Sequence, residues 1–142
     1  MKWNVVTDSS CDLLPSRYQS DVIELSSVPF VITVGDKHFV DDEDLDLQKM
    51  LHDMEQEKEA SHTACPAPGT WLQHFQKASH TFAITISSQV SGSMNSALTA
   101  MDMALEEHPE KKIAVLDSKS TGPELVLCVR ELERLAREGV DF

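Results

Sequence analysis

Short apolar runs alternate with amphipathic segments along this chain. Three runs of about strand length stop at a polar turn, and they cover residues 3–7, 81–86 and 112–116. Apolar runs of this length, rich in β-branched residues and bounded by turn residues, are typical of buried strands. We therefore predict three strands, each opening into a polar turn.

Between and after these runs, apolar residues recur at helical spacing. The stripes are Leu47, Met50, Leu51 and Met54; Met94, Ala97, Leu98, Met101 and Leu105; and Leu125, Cys128, Leu132 and Leu135. Each stripe predicts an amphipathic helix with one face packed on a core. Pro109 ends the second helix, and Pro123 suits the first turn of the third. Strand and helix thus alternate at least three times, which predicts an α/β fold with a mainly parallel sheet.

The pattern is less regular after the first strand. Residues 22–34 predict a strand broken by serines and by Pro29, and the Gly35-Asp36 pair that follows indicates a hairpin-like excursion. Prolines within residues 61–68 exclude a regular helix or a central strand, so we expect an extended loop there. A helix is predicted at residues 69–77.

Polar side chains follow each predicted strand of the parallel sheet. Asp8 and Ser9 come after the first strand, a serine-rich turn comes after the second, and Asp117 comes after the third. The carboxyl ends of parallel strands meet at one edge of a sheet, where ligands bind. The loop that contains Thr63 joins this edge if it folds over it.

The serine-rich turn is the most informative segment. It contains Ser87, Ser88, Ser91 and Ser93, and the helix after it is predicted to begin near Ser91. The first N–H groups of a helix lack intrahelical partners and lie at the positive end of its dipole, so this turn suits an anion. Gly92 would allow a ligand to approach the backbone. The alternative is that Ser91 is only the N-cap of the helix.

Composition narrows the classes of function. The chain has 142 residues, which favours one domain, and its net charge of −12 excludes nucleic acid and anionic lipid surfaces as electrostatic partners. Its 3 cysteines form no C-x-x-C pair, and its 6 histidines lie at no metal-ligand spacing, so we expect reduced thiols and no metal. No segment is apolar over the length of a membrane span or a signal peptide, so we expect a cytoplasmic protein without membrane insertion.

Five motifs in sequence resemble those of the DegV family of bacterial fatty-acid-binding proteins. They are Val6 to Leu13, Val28-Pro29 before Gly35-Asp-Lys, Thr63 to Pro68, Ile86 to Gly92, and Val115 to Lys119. The resemblance extends over nearly the whole chain. It implies a three-layer α/β sandwich that forms the N-terminal lobe of a binding protein, residues 1–142, with the C-terminal lobe absent from this chain.

The resemblance also implies a ligand, a partner and a site. The ligand is a long-chain fatty acid, which many members present to a fatty-acid kinase that makes acyl phosphate, and no cofactor or catalytic residue is expected. Thr63 matches the threonine that binds the carboxylate, Ser91 and Gly92 match the serine-glycine pair that completes the site, and Ser88 is a further ligand-binding candidate. Asp8 and Ser9 match a supporting loop that orders its neighbours.

The sequence departs from the family pattern in several respects, among them Ser93 where threonine is favoured and Asp42 where glycine is common. Ala64, Cys65 and Ala67 stand where the family usually has serine, glutamine and serine, so fewer hydroxyl groups surround the head-group site. Family members also carry a second lobe that supplies basic groups and walls for the acyl tail. Without that lobe, we expect weak lipid binding and self-association through the surface it would cover.

Two other functions use the same turn. A serine hydrolase would employ Ser91 or Ser88 as its nucleophile, but the G-x-S-x-G elbow is absent, and His80 and His108 have no evident orienting carboxylate. A domain that binds phosphate or a nucleotide would use the helix N-terminus, but both glycine-rich phosphate motifs are missing. Lipid binding therefore ranks first.

Overall fold

The computed structural model describes residues 2–142, which form two sheets and four α-helices joined by turns and loops. The elements in chain order are β1 (Trp3–Asp8), β2 (Ile23–Val28), β3 (Val31–Val34), β4 (Lys37–Val40), α1 (Leu47–Gln56), β5 (His62–Ala64), α2 (Pro68–Phe75), β6 (His80–Thr85), α3 (Ser93–Glu107), β7 (Lys112–Asp117) and α4 (Pro123–Arg137).

The main sheet is parallel, with the strand order β2-β1-β6-β7. One face packs against α2 and α3 through a core that includes Val6, Ala83 and Trp71. The opposite face packs against α4 through a second core that includes Val5 and Ile84. Because side chains alternate along a strand, neighbouring residues of β1 enter different cores. The predicted three-layer α/β sandwich is confirmed.

A separate antiparallel sheet, ordered β4-β3-β5, was only partly predicted. The expected strand at residues 22–34 is two strands, since Pro29 and Phe30 separate β2 from β3. Gly35, with φ of 60°, makes the turn between β3 and β4, as its lack of a side chain permits. The loop expected at residues 61–68 contains the short strand β5, which pairs with β3.

Helix limits differ from the prediction by a few residues. Helix α1 begins at Leu47, because Asp46 caps it by accepting a 2.9 Å hydrogen bond from the Lys49 N–H. Pro15 begins a single 3-10 turn that ends at Arg17. None of the described helices is both long and apolar enough to cross a bilayer.

The residue after this 3-10 turn is anchored to α4 through a buried carboxylate. Tyr18 Oη donates to Glu133 Oε2 at 2.7 Å, and Arg137 Nη2 donates to Oε1 at 3.0 Å. The Tyr18 hydrogen bond, assisted by Arg137, lowers the pKa of Glu133 to about 2. Burial and the Glu133 carboxylate raise the pKa of Tyr18 to about 12. The pair therefore stays neutral tyrosine and charged glutamate across the physiological range.

The substitution Tyr18→Phe should reduce the free energy of unfolding by about 1.5 kcal/mol at pH 7, since it removes a hydrogen bond to a charged group. Folding lowers the pKa of Glu133, so its stabilisation is complete above the unfolded pKa of about 4.3 and is lost as the pH falls towards 2. Urea unfolding should therefore show a smaller difference between the two proteins at pH 2 than at pH 7. An equal difference at both would contradict this assignment.

Candidate functional site

The carboxylate of Asp8, at the end of β1, organises the edge of the main sheet. Asp8 is 0% exposed. One oxygen accepts the Ile86 N–H at 2.8 Å and the Ser93 hydroxyl at 2.7 Å. The other accepts the Ser10 hydroxyl at 2.5 Å and the Ser10 N–H at 3.2 Å. A buried carboxylate needs such donors to replace water, and here they fix the start of α3 against the ends of β1 and β6.

Ser9 ties the same edge to the antiparallel sheet. Its hydroxyl accepts the Phe30 N–H at 3.0 Å and donates to Asp41 Oδ2 at 2.8 Å. Phe30 lies in the link between β2 and β3, and Asp41 follows β4. Asp8 and Ser9 thus both form hydrogen bonds with neighbouring segments, and their role as supporting residues stays a prediction.

The N-cap of helix α3 is Gly92, not Ser91 as the serine-rich turn had suggested. Helix α3 begins at Ser93, and its N-cap is Gly92, without a side-chain cap. The Ser91 hydroxyl instead accepts the Ser93 N–H at 3.2 Å, one residue before the cap. A hydroxyl that accepts a hydrogen bond still carries a proton to donate, so Ser91 retains a donor for a ligand.

Thr63 lies opposite this turn. It pairs with Ile32 in the register of β5 with β3, and it is exposed. Between it and Ser91 is an open cleft of about 470 Å³, which we call the Thr63 cleft. The residues that line it are Phe30, Thr63, Ala64, Cys65, Ile86, Val90, Ser91 and Gly92. The fold therefore brings Thr63, Ser91 and Gly92 to one site, although about thirty residues of chain separate the first two.

The backbone conformation at Gly92 does not require glycine. Gly92 has φ of −79°, which any residue adopts. An added Cβ would lie 3.5 Å from Cys65 Sγ, an ordinary contact distance. A Cβ at this position would therefore fit beside Cys65, so neither the turn nor its packing requires glycine here.

Ser88 lies outside the residues that line the cleft. Its hydroxyl donates to Asp117 Oδ2 at 2.5 Å, and its N–H donates to Asp117 Oδ1 at 3.2 Å. Asp117 Oδ1 also accepts the Lys119 N–H at 2.9 Å. The Ser88 hydrogen bond, followed by the Lys119 N–H, lowers the pKa of Asp117. Ser88 therefore joins the serine turn to the end of β7, and the structure does not bring it together with Thr63.

Three apolar residues that line the cleft were not predicted as site residues from the sequence. Phe30, Ile86 and Val90 supply apolar surface beside the hydroxyl groups of Thr63 and Ser91. Phe30 carried no signal, because its place depends on the break between β2 and β3. Val90 is 72% exposed, and an apolar residue inside a polar turn was the one available signal. Residues 2–142 contain no group of three or more His, Cys, Asp or Glu side chains placed to hold a metal.

An α/β sandwich with an open, hydroxyl-lined cleft at the carboxyl edge of its sheet defines a class of small-molecule-binding domain. The family model described as an uncharacterised protein of the DegV family matches residues 2–142. A DegV domain-containing protein of Streptococcus pyogenes serotype M1 is 40% identical over 142 residues, which is 100% of this chain and 51% of the relative. The chain therefore belongs to the DegV family, and it spans about half the length of the curated relatives it matches.

Solved structures show the same likeness. The fatty acid kinase B3 protein of Streptococcus pneumoniae, loaded with linoleic acid, is 40% identical with a TM-score of 0.93, and the match covers 99% of this chain and 50% of that one. A DegV family protein of Eubacterium eligens, loaded with heptadecanoic acid, is 37% identical with a TM-score of 0.90, and the match covers 99% and 49% of the two chains. Both neighbours carry a long-chain fatty acid.

The Asp8 network gives a prediction for stability. Asp8→Ala should reduce the free energy of unfolding by about 3 kcal/mol, because it leaves the Ile86 N–H and the Ser93 hydroxyl without their acceptor. Asp8→Asn keeps one acceptor oxygen and should cost less. Urea unfolding measures both, with Asp102→Ala, an exposed aspartate on α3, as the control. A loss for Asp8→Ala no larger than that of the control would show that this network does not hold the edge.

Proposed function

We propose that this chain is one lobe of a fatty-acid-binding protein and that Thr63 and Ser91 hold the carboxylate of the ligand. The observation that carries the proposal is the pairing of two hydroxyl groups with apolar Phe30, Ile86 and Val90 in one cleft. The fatty acids in the two neighbouring structures support the choice of ligand.

The head group would lie where three favourable contributions meet. Thr63 and Ser91 each have a hydroxyl that can donate to a carboxylate oxygen, and helix α3 begins beside them with its positive dipole end. Hydrogen bonds to a charged group contribute about 1.5 to 3 kcal/mol each and mainly offset the cost of removing the carboxylate from water. The net charge of −12 opposes an anion at long range. The local donors therefore orient the ligand and select an acid.

The hydrocarbon tail would dominate the affinity. Each buried methylene contributes about 0.8 kcal/mol, so a tail of roughly fifteen contributes on the order of 12 kcal/mol before the costs of association. The Thr63 cleft is open, and Val90 at its rim is 72% exposed. The described residues therefore bury only part of such a tail, and further protein surface would supply the remaining wall.

The described residues fit a binding protein without catalytic activity better than they fit a serine hydrolase. His80 begins β6 and His108 caps the far end of α3, so each lies about 20 Å along its element from the end nearest the serine turn. The His80 ring is hydrogen-bonded to Ser79, and His108 faces Glu110. Neither reaches Ser91 as a general base would have to. We propose that the protein is a carrier that presents its fatty acid to a kinase, in line with the name of the pneumococcal neighbour. The cytoplasmic location expected from the sequence stays a prediction.

The double substitution Thr63→Ala with Ser91→Ala should weaken fatty-acid binding about 100-fold, because two hydrogen bonds to the carboxylate are lost. A titration with a fluorescent fatty acid measures the change. The methyl ester of the same acid should bind both proteins with similar affinity, since its head group carries no charge.

The control for this experiment is Thr33→Ala, which removes a hydroxyl from the same small sheet outside the cleft. It should leave the affinity for the acid within about twofold of the original. If the double variant binds the acid as tightly as the control does, the carboxylate is held elsewhere. Native mass spectrometry of the purified chain gives a separate test of the ligand class, since a co-purified long-chain acid supports it and a co-purified phosphate ester contradicts it.

We also propose that the open rim promotes self-association of this chain. Val90→Asp places a charge on the exposed apolar rim and should shift sedimentation towards the monomer, because a charge is costly to bury in such a contact. Leu127→Asp is the matched control, as Leu127 is 67% exposed on α4, away from the cleft. A strict monomer at high concentration before any substitution would contradict the proposal.

A further inference from the structure

An apolar groove opens at the carboxyl edge of the main sheet, apart from the Thr63 cleft. Its volume is about 340 Å³, and we call it the Leu14 groove. The segment after β1 and the end of β2 form its walls, with apolar surface from Leu13, Leu14, Pro15 and Pro29. Leu14 is 42% exposed, although a leucine side chain gains free energy when it is buried. The groove therefore offers an apolar surface that is open to solvent.

One rim of this groove is acidic. Residues 41–46, in the segment after β4, read Asp-Asp-Glu-Asp-Leu-Asp, and the first three of them line the groove. None of the ion pairs within residues 2–142 involves any of these five carboxylates. The nearest lysines in the chain on either side, Lys37 and Lys49, are both paired with Asp53. The lysine charges of this region are therefore committed elsewhere.

Local hydrogen bonds hold part of this rim in place without removing its charge. Asp41 Oδ2 accepts the Ser9 hydroxyl at 2.8 Å, and Glu43 Oε1 accepts the Ser16 N–H at 3.0 Å. The contact with Ser16, assisted by the positive charge of Arg17, lowers the pKa of Glu43. Like charges side by side repel one another, and a partner of opposite charge relieves that repulsion. The rim thus presents negative charge beside an apolar surface.

The extent of the rim indicates what would bind there. Asp44 and Asp46 continue the acidic run beyond the residues that line the groove, and both are exposed. A ligand that meets the whole surface must carry an apolar group with several cations around it. Protein interfaces commonly combine an apolar centre with a polar rim in this way. A second copy of this chain would bring a net charge of −12 towards an acidic rim, so a basic partner is favoured.

We propose that the Leu14 groove is a docking site for a partner protein, which inserts an apolar side chain into the groove and places Lys or Arg side chains against residues 41–46. Burial of the apolar side chain provides affinity, and the opposite charges provide fast association and selectivity. The inference goes beyond the proposed function and does not rest on it, since neither Thr63 nor Ser91 lines the groove. The experiments below use no fatty acid, so the failure of either proposal leaves the other standing.

A phage-displayed library of random peptides, each of about ten residues, tests the class of partner. Selection on the immobilised chain should enrich peptides in which an apolar residue is flanked by Lys or Arg. One enriched peptide, labelled with fluorescein, should bind at least about tenfold more weakly at about 0.5 M salt than at about 0.05 M, because salt screens exposed charges. Enrichment of neutral or acidic peptides, or of no peptide, would overturn the proposal.

Two variants test whether the labelled peptide occupies the groove. Leu14→Lys replaces apolar surface with a charge that repels a basic partner. The double variant Asp42→Asn with Glu43→Gln removes two negative charges and keeps an acceptor oxygen at each position for the local hydrogen bonds. Each variant should bind the peptide at least about tenfold more weakly than the unsubstituted chain in a fluorescence anisotropy titration.

The matched controls make the same changes in net charge away from the groove. Leu127→Lys alters an exposed leucine on α4, and Asp102→Asn with Glu106→Gln alters two exposed acids on α3. Each control should bind the peptide within about twofold of the unsubstituted chain, since distant exposed charges are screened. If the groove variants bind no more weakly than their controls, net charge alone attracts the peptide and the proposal fails.

Photo-cross-linking tests the location in a way that does not depend on the folding of the variants. Photo-leucine, a diazirine analogue of leucine, is incorporated into the chain, which is then irradiated with the bound peptide. Mass spectrometry should find the peptide attached at Leu13 or Leu14. Attachment confined to other leucines would place the peptide elsewhere, and a link from Leu14 to a second copy of the chain would assign the groove to self-association. Either result overturns the proposal.

Discussion

The buried carboxylate of Asp8 is the constraint on which the functional edge depends. A carboxylate withdrawn from water is stable only when donors replace its hydration, and Asp8 takes its donors from the turn after β1, from the end of β6 and from the first residue of α3. Each donor satisfies the same charge, so the three segments cannot move independently without leaving that charge unpaired. Ser91 lies two residues before the Ser93 donor, and its position is therefore set by a contact in which it takes no part.

The serines at this edge differ in whether their hydroxyl groups donate or accept a hydrogen bond. Ser9, Ser88 and Ser93 donate their protons to carboxylates, whereas Ser91 accepts a backbone N–H and keeps its proton. A serine whose proton is committed to an aspartate has less to offer an incoming anion. This difference separates Ser91 from Ser88 within one turn, although their residue type is identical.

Regular periodicity predicted the main sandwich well, because β1, β6, α3 and α4 bury apolar residues, and β7 partly buries Ile113 and Val115, at spacings visible in the chain. The small sheet was harder to predict, since β5 has only three residues, all exposed, and exists through pairing with β3. At the site, hydroxyl content and resemblance pointed to Thr63 and Ser91. They could not show that Ser88 lies outside the cleft, because its partner Asp117 is 29 residues further along the chain. They also could not identify Phe30 as a cleft residue, because its place depends on the interruption between β2 and β3 at Pro29.

The net charge of this chain repels the carboxylate of a fatty acid, whereas the hydroxyl groups of Thr63 and Ser91 could bind it. The positions of the charged and hydroxyl groups along the edge of the sheet determine which effect is larger at each point. The overall charge of −12 repels any anion, yet the acidic residues 41–43 lie in the segment after β4, while hydroxyl groups and the start of α3 border the Thr63 cleft. None of the residues that line the Thr63 cleft is acidic, so the local repulsion of a carboxylate is weaker there than beside residues 41–43. Under the proposed function, the Thr63 cleft is therefore the part of this edge where an acid group would meet hydroxyl donors and no acidic side chain.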